Sequence, residues 1–444
     1  MMTHPAAPVT GPLSRFGGRT MYLLYAAVVT VALPLLAGAL VFRQRHRALL
    51  GRFRLVVPGF PSRPLWIHAC SVGEVNTACP LIRAIRARWP DLPVVLTVST
   101  VSGHALASSS IDGAVIAWLP FDHPWLLRRF IRTLNPRVLG IIETELWPAL
   151  LKGARSHRVP VVLLNGRLSD KHWGQYCRLR PLFGPLLRGI SGAVVQSDAY
   201  AERLRRLGAK PGVVFVGGNI KFDGSPHPLD PGERRALLME NGFDEPDMLL
   251  FFGSTRPGDE LLAAAIWRDL TPRFPNLKLA VALRHLARLD EALAPFDEPL
   301  LRRSRILSGE QSPAGERIFI LDTVGELARF YGIATVAIIG GSFYPGVEGH
   351  NPIEPAAHGV PVVFGPFMRN FAGPAEALLE CGGAVQIEDA SKLRDAIASL
   401  LADPEMRARM GAAGREAVRR NQGALEHNMD ALAKVIDASG VPAS

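Results

Sequence analysis

The sequence predicts an α/β protein of two halves, each a parallel sheet covered by helices, behind an N-terminal apolar helix. Three observations carry this expectation. Short apolar runs alternate with helix-like segments from residue 64 onward, which implies repeated βα units. The stretch "FDGSPHPLDPGERR" (222–235) interrupts that alternation with three prolines and two glycines and divides it into two series of similar size. Residues 20–42, "TMYLLYAAVVTVALPLLAGALVF", carry no charge at 23 positions.

Composition narrows the class. The chain has 444 residues, 48% hydrophobic and 20% charged, enough for two or three packed domains. Of its net charge of +10, the first 73 residues supply eight units: they contain eight arginines and no acidic residue before Glu74. A charge so concentrated argues against a broad nucleic-acid-binding face, so no nucleic-acid partner is expected. It suits a segment at an anionic membrane surface, where each nearby Lys or Arg contributes about 1 kcal/mol. Cysteines 70, 79, 177 and 381 form no CxxC pair and no His/Cys cluster, so reduced thiols and no bound metal are expected. Cys70 reads as a buried, inert thiol.

Taken in order, 20–42 as a helix would span about 34 Å, enough to cross a bilayer, with Pro34 able to kink it. Two arginines precede it and five follow closely, which places the downstream body in the cytoplasm. A secretory signal peptide and a helix lying in the interface are the competing readings. A basic connector follows (43–63). Strands are expected at 64–69, 93–100, 137–143, 159–165 and 192–197, and a helix at 74–89 with Val75, Ala78, Ile82 and Ile85 on one face. The second series places strands at 247–254, 277–283, 317–322, 335–342 and 360–365. The expected domains are an anchor and connector (1–63), a first α/β domain (64–223), a linker (224–235), a second α/β domain (236–425), and a C-terminal helix and tail (426–444). Ligands are expected in a cleft at the carboxyl ends of the strands.

Several residues at those ends could carry chemistry. Glu74 follows a strand in a Ser-Val-Gly-Glu turn; it is either a functional carboxylate or a first-turn residue favoured by the helix dipole. Glu143 and Glu145 close another strand, where an exposed acidic loop is the alternative, and Arg167 is placed to pair with either. Lys221 stands just before the linker, able to neutralise a phosphate or simply solvated. The turn Gly253-Ser254-Thr255 offers backbone N–H groups to an anion. Asn351, Pro352 and Glu354 read as cap, first and third residues of a helix, after a glycine-rich approach that lets backbone come close to a ligand. His285, His350 and His358 form no ligand set by spacing.

In this order the motifs "SVGE" (71–74), "ETELWP" (143–148), "NGRLS" (165–169), "GNIKFD" (218–223), "GSTRPGDE" (253–260), "DTVGELARFYGIA" (322–334), "GGS" (340–342) and "GHNPIEPAAHGVPVVFGP" (349–366) resemble the 3-deoxy-D-manno-octulosonic acid (Kdo) transferases of lipopolysaccharide assembly. The resemblance implies a GT-B glycosyltransferase of two Rossmann-like domains, anchored at the cytoplasmic face of the inner membrane, that moves Kdo from CMP-Kdo to a lipid A precursor. It implies Glu74 as general base and Glu143 and Lys221 as transition-state stabilisers. It implies nucleotide contacts at Leu283 and Arg284, at Val324, Gly325 and Glu326, and at Asn351, Pro352, Ile353 and Glu354. It implies no cofactor beyond the donor substrate. The chain departs from the family pattern at Leu283 and Leu286, where prolines are usual, and at Arg256, Val324, Glu348 and Val101. Rival readings are a GT-B transferase or epimerase using another nucleotide sugar, a non-catalytic scaffold of the same fold, and a periplasmic two-lobed binding protein.

Overall fold

The computed structural model describes residues 17–42, 44–53, 60, 62–168 and 170–439. Arg15, Arg43 and Arg54 of the expected basic segment, and Ser169 of the "NGRLS" motif, lie outside the described residues. The chain divides into two compact units: residues 1–220 with 423–444, and residues 221–422.

The first unit is built on a seven-stranded parallel sheet: β1 (Leu65–His68), β2 (Val94–Val98), β3 (Val115–Trp118), β4 (Val138–Ile142), β5 (Val161–Gly166), β6 (Gly192–Val195) and β7 (Val214–Val216). Its order is β3-β2-β1-β4-β5-β6-β7. Both faces are covered, so the strands read as unbroken apolar runs rather than alternating ones. Trp66, Leu139, Ile141 and Leu163 enter the core on one face. Their neighbours Leu65, Ile67, Val138 and Leu164 enter the core on the other. The C-terminal helix Ala424–Ala438 returns to this second face, where Met429, Leu432 and Ile436 join the core. Its buried Asn428 accepts, through Oδ1, a hydrogen bond from Asn165 N at 2.8 Å.

The second unit repeats the plan: β8 (Met248–Thr255), β9 (Leu277–Leu283), β10 (Leu300–Arg302), β11 (Ile318–Leu321), β12 (Val336–Ile339), β13 (Val362–Phe364) and β14 (Ala384–Gln386), ordered β10-β11-β9-β8-β12-β13-β14, all parallel. The stretch expected as a linker lies inside this unit, and its second half enters the helix Pro231–Glu240. Asp230 and Glu233 form a full capping box there. The expected helix at 351–354 starts at Ile353, with Asn351 Oδ1 accepting from Ile353 N at 3.0 Å.

The ten strands expected from sequence are the inner strands of the two sheets. The four it did not foresee, β3, β7, β10 and β14, are the four edges. They are three or four residues long. Phe215 and Val216 of β7 are exposed. Edge strands are kept short and half-covered, so they lack the long apolar signature of a buried strand.

Five helices of the first unit matter below: α1 (Gly18–Phe42), α2 (Val72–Arg88), α3 (Val101–Ser110), α4 (Pro124–Leu134) and α5 (Pro148–Ser156). The apolar helix α1 does not stand free. Its Met21 is buried and Tyr22 and Tyr25 pack on the core of the first unit.

Leu432 is fully buried. Replacing Leu432 by Ala should therefore cost about 2–5 kcal/mol of stability, as for other buried leucines, although it lies in the last helix of the chain. Denaturant unfolding of the full chain checks this; a loss below ~0.5 kcal/mol, the scale of an ordinary surface change, would show that this helix is not part of the domain core.

Candidate functional site

Strand order in an open parallel sheet reverses once, and the loops leaving the two strands at that point diverge and leave a crevice. In the first unit the reversal falls between β1 and β4. Glu74 follows β1, and Glu143 and Glu145 follow β4.

The local sequence brings these carboxylates inward. Ser71 is the N-cap of α2, which puts Glu74 in the first turn. Its Oε2 accepts from Cys70 N at 2.7 Å, and its Oε1 accepts from Ser71 Oγ at 2.9 Å. To that extent Glu74 does what a capping glutamate does. Its environment, however, is not that of a cap. Glu74 is only 7% exposed, and one oxygen each from Glu74 and Glu145, together with Cys70 Sγ, lie within 4.8 Å of one another. Burial, followed by the charges of Glu145 and Glu143, holds Glu74 well above the usual carboxylate range. Glu145 is also pushed up, chiefly by burial, with Arg52 acting against the rise. Two like charges this close resist ionising together. Cys70 is pushed far above the ordinary thiol range by burial and by both carboxylates, so it stays protonated and is no nucleophile. Beneath them His68 is fully buried and pushed down to about 4, so it is neutral and balances no charge.

Glu143, which the resemblance implies as a transition-state stabiliser, adopts φ = 58°. This left-handed backbone is uncommon for a glutamate and costs of order 1 kcal/mol or more. Its N–H donates to Leu164 O at 2.9 Å, so the chain turns sharply as it leaves β4. The turn sets Glu145 next to Glu74, with Glu143 close enough to raise Glu74 through its charge. Sequence reasoning noticed Glu145 but gave it no role, since proximity in a turn does not say which of two glutamates points inward. It also missed Arg52, which lies in the 3₁₀ run Gln44–Phe53. Arg52 Nε donates to Leu119 O at 2.9 Å, and its guanidinium sits 4.2 Å from the centre of the Phe121 ring.

Asn165, next to last in β5, has φ = 53°. Its Oδ1 accepts from Ile220 N at 3.0 Å, and its Nδ2 donates to Asn219 Oδ1 at 3.3 Å. The "NGRLS" motif thus pins the loop that leads into Lys221. Lys221 itself belongs to the second unit, where Nζ donates to Asn370 O at 3.3 Å.

In the second unit the order reverses between β8 and β12. The loops leaving these strands are stitched together by buried Asp259, whose Oδ2 accepts from Arg256 N at 2.8 Å and Gly341 N at 2.7 Å. Gly340 permits the contact: a Cβ there would stand 2.5 Å from Ser254 O. Over this junction Arg256 Nη1 meets His285 Nε2 at 2.6 Å, and Arg256 Nε donates to His350 Nε2 at 3.3 Å. Arginine offers only donors, so both imidazole nitrogens accept and both rings are neutral. His350 is accordingly pushed down to about 4, first by burial and then by Arg256 and Arg284. His285, Arg256 and His350 therefore do gather, although their spacing in sequence did not show it. The positive charge of Arg284 also reaches Glu354, whose carboxyl is otherwise raised by burial.

The remaining expected nucleotide residues divide by exposure. Leu283 ends β9 and is half-buried, while Arg284 is exposed. Val324 is 85% exposed and Gly325 has φ = 90°, which leaves the backbone of that loop open. The Glu326 carboxylate is already held by Arg303 at 2.9 Å and by the Thr323 hydroxyl, so what this loop can offer a ligand is its backbone. Pro352 and Ile353 are buried, and Ile353 is part of a core cluster. Asn351 Nδ2 donates to Glu354 Oε1 at 3.0 Å.

Two parallel seven-stranded sheets, each with polar loops at its point of reversal, define a GT-B glycosyltransferase fold. MurG of Acinetobacter baumannii shares this fold, with a TM-score of 0.55 at 14% identity over 84% of this chain and 100% of that one. A family model described as 3-deoxy-D-manno-octulosonic-acid transferase (kdotransferase) matches residues 44–224. The 3-deoxy-D-manno-octulosonic acid transferase of Bordetella pertussis is 35% identical over 400 residues, 87% of this chain and 90% of that one. That of Haemophilus influenzae is 30% identical over 374 residues, 84% of this chain and 87% of that one. The chain belongs to the 3-deoxy-D-manno-octulosonic acid transferase family.

A carboxyl held above its unfolded value is costly to ionise in the fold. Its contribution to stability is full below the ordinary carboxylate pKa and is lost as pH rises through the folded one. Stability of Glu74→Gln relative to the parent should therefore improve as pH rises above the ordinary carboxylate range, from pH 4 toward pH 8. Thermal unfolding across that range checks it; a difference independent of pH would mean that Glu74 ionises as it does in water.

Proposed function

We propose that the chain transfers Kdo from CMP-Kdo to lipid IVA, a lipid A precursor, with inversion and without a metal, from the cytoplasmic face of the inner membrane. The observation that carries this reading is the buried Glu74–Glu145 pair at the reversal of the first sheet. A carboxylate with a raised pKa is a stronger base than a free one, which suits removal of a proton from a sugar hydroxyl. Glu74 takes that proton. The hydroxyl oxygen attacks the anomeric carbon of Kdo as the bond to the CMP phosphate breaks, and the bonding pair leaves with CMP.

The second unit supports a nucleotide donor. Arg256 and Arg284 concentrate positive charge where β8 and β9 end, and Lys221 adds a third cation from the same unit. Such groups stabilise the charge that grows on a departing phosphate, the task a divalent ion performs elsewhere. The exposed Val324–Gly325 backbone and the Asn351–Glu354 turn are the groups we assign to the cytidine and ribose. Cys70, Glu74 and Glu145 are close enough to share a cation. The reading without a metal rests instead on the arginines and the lysine above taking the role of the ion.

Mass spectrometry of lipid IVA incubated with the protein and CMP-Kdo, with and without EDTA, should show added Kdo in both. Glu74→Gln should retain CMP-Kdo binding and lose turnover by ~100-fold or more; near-normal turnover would refute Glu74 as the base. The rate should rise with pH through a value above the ordinary carboxylate range. Glu145→Gln, by removing the neighbouring charge, should move that rise to lower pH, and an unmoved profile would refute the coupling.

A further inference from the structure

The helix α1 has two sides of different kinds. Gly18, Met21, Tyr22, Tyr25, Ala26, Val29, Leu33, Ala37 and Leu40 are buried or half-buried, spaced by threes and fours along its whole length. That is the stripe of a helix lying against a surface. The contacts along it are specific. Gly18 is packed so closely on Pro181 and Pro185 that a Cβ would stand 2.4 Å from Pro181 O. Tyr25 hydroxyl donates to Asp122 Oδ2 at 2.5 Å, and Asp122 also accepts from Ala149 N and Leu150 N at the start of α5. Thr30 Oγ1 lies 3.1 Å from His123 Nε2. At the other end Arg47 Nε donates to Val41 O at 3.1 Å.

The opposite side is apolar and exposed: Leu24, Val28, Val31 and Leu35 are 58%, 59%, 71% and 73% exposed. The start of α4 meets α1 at Asp122 and His123. Its inner face is buried, and its outer face carries Trp125, Arg128, Arg129 and Arg132, all exposed and spaced by threes and fours. Arg129 sits 5.7 Å from the Trp125 ring centre. Lys152 Nζ lies 5.9 Å from the Tyr22 ring centre, and the charge of Arg128 also reaches that hydroxyl. An apolar helical face flanked by arginines, a lysine and a tryptophan is complementary to the acyl boundary and headgroups of an anionic leaflet.

We infer that α1 lies along one leaflet with both ends on the side of the folded body, and that its outer face and the basic face of α4 form one surface for anionic lipid. A helix crossing the bilayer would carry Gly18, Met21 and Tyr25 to the far side, away from Pro181 and Asp122. The two arrangements exclude each other. This inference rests on the membrane setting proposed above and specifies its geometry; it does not depend on the sugar transferred.

Two measurements on the full chain test it. An epitope fused before Met1 should be cut by protease added to sealed inverted inner-membrane vesicles without detergent; a tag protected until detergent is added would show a crossing helix and overturn the inference. The triple variant Arg128→Gln, Arg129→Gln, Arg132→Gln should bind phosphatidylethanolamine–phosphatidylglycerol vesicles roughly a hundredfold more weakly, from about fivefold per lost charge. It should keep its transfer rate on acceptor presented in detergent, which also reports correct folding. Undiminished vesicle binding would overturn the inference, as would a detergent-resistant dimer that buries Val31 and Leu35. Absence of Kdo transfer in the parent protein would count against the proposed activity while leaving both readings of the surface intact.

Discussion

The arrangement of the first unit turns on holding two carboxylates together where water is scarce. At the separation of Glu74 and Glu145, two full charges would repel by about 3 kcal/mol at an effective dielectric near 20. The fold therefore disfavours charging both at once. It can impose that cost because three independent constraints converge. The strand order puts β1 beside β4, the cap of α2 orients Glu74, and the left-handed turn at Glu143 swings Glu145 inward. None of these alone would create the pair. A capping glutamate in water would ionise readily, and a glutamate in a straight exit from β4 would face solvent.

This convergence explains what was legible in the sequence and what was not. Buried central strands announce themselves as apolar runs, so all ten were found, whereas "VFV" at 214–216 and "AVQ" at 384–386 are too short to stand out from loops. The first-turn position of Glu74 was legible from the strand-turn-helix pattern. That Glu145 rather than Glu143 would be drawn to it was not, because the deciding fact is a positive φ that glutamate rarely adopts. Likewise the Arg256–His285–His350 group spans ninety-odd residues of sequence. Only the parallel sheet order, which sets the ends of β8 and β9 side by side and β12 next to β8, brings its members together.

That group also gives physical meaning to a departure from the family pattern. Arg256 is one of the positions at which the chain departs from the motifs it resembles. An arginine keeps its charge at any working pH, and its fork is held by one imidazole on each side. The two rings remain acceptors, so they orient the guanidinium without competing with it for an anion. With Asp259 tying down the backbone of the same residue, Arg256 becomes a fixed rather than a roaming charge. Fixed charge needs little reorganisation when negative charge develops, which is the form of electrostatic stabilisation that helps a transition state most.

The first unit joins its apolar helix to its carboxylate pair through ten residues, Gln44–Phe53. Arg52 sits in that run, half-buried; burial pushes its pKa down, the charges of Cys70, Asp122 and Glu145 act against that, and its own charge lowers Glu145. Arg52 thus opposes the rise at Glu145, while burial and the charges of Glu145 and Glu143 raise Glu74. Through Arg52, the segment that follows the apolar helix thus helps set the basicity of the residue assigned to deprotonate the acceptor. The absence of any acidic residue before Glu74 then has a second consequence besides attraction to anionic surfaces: no carboxylate from that segment can compete for Arg52 and leave Glu145 as protonated as its partner.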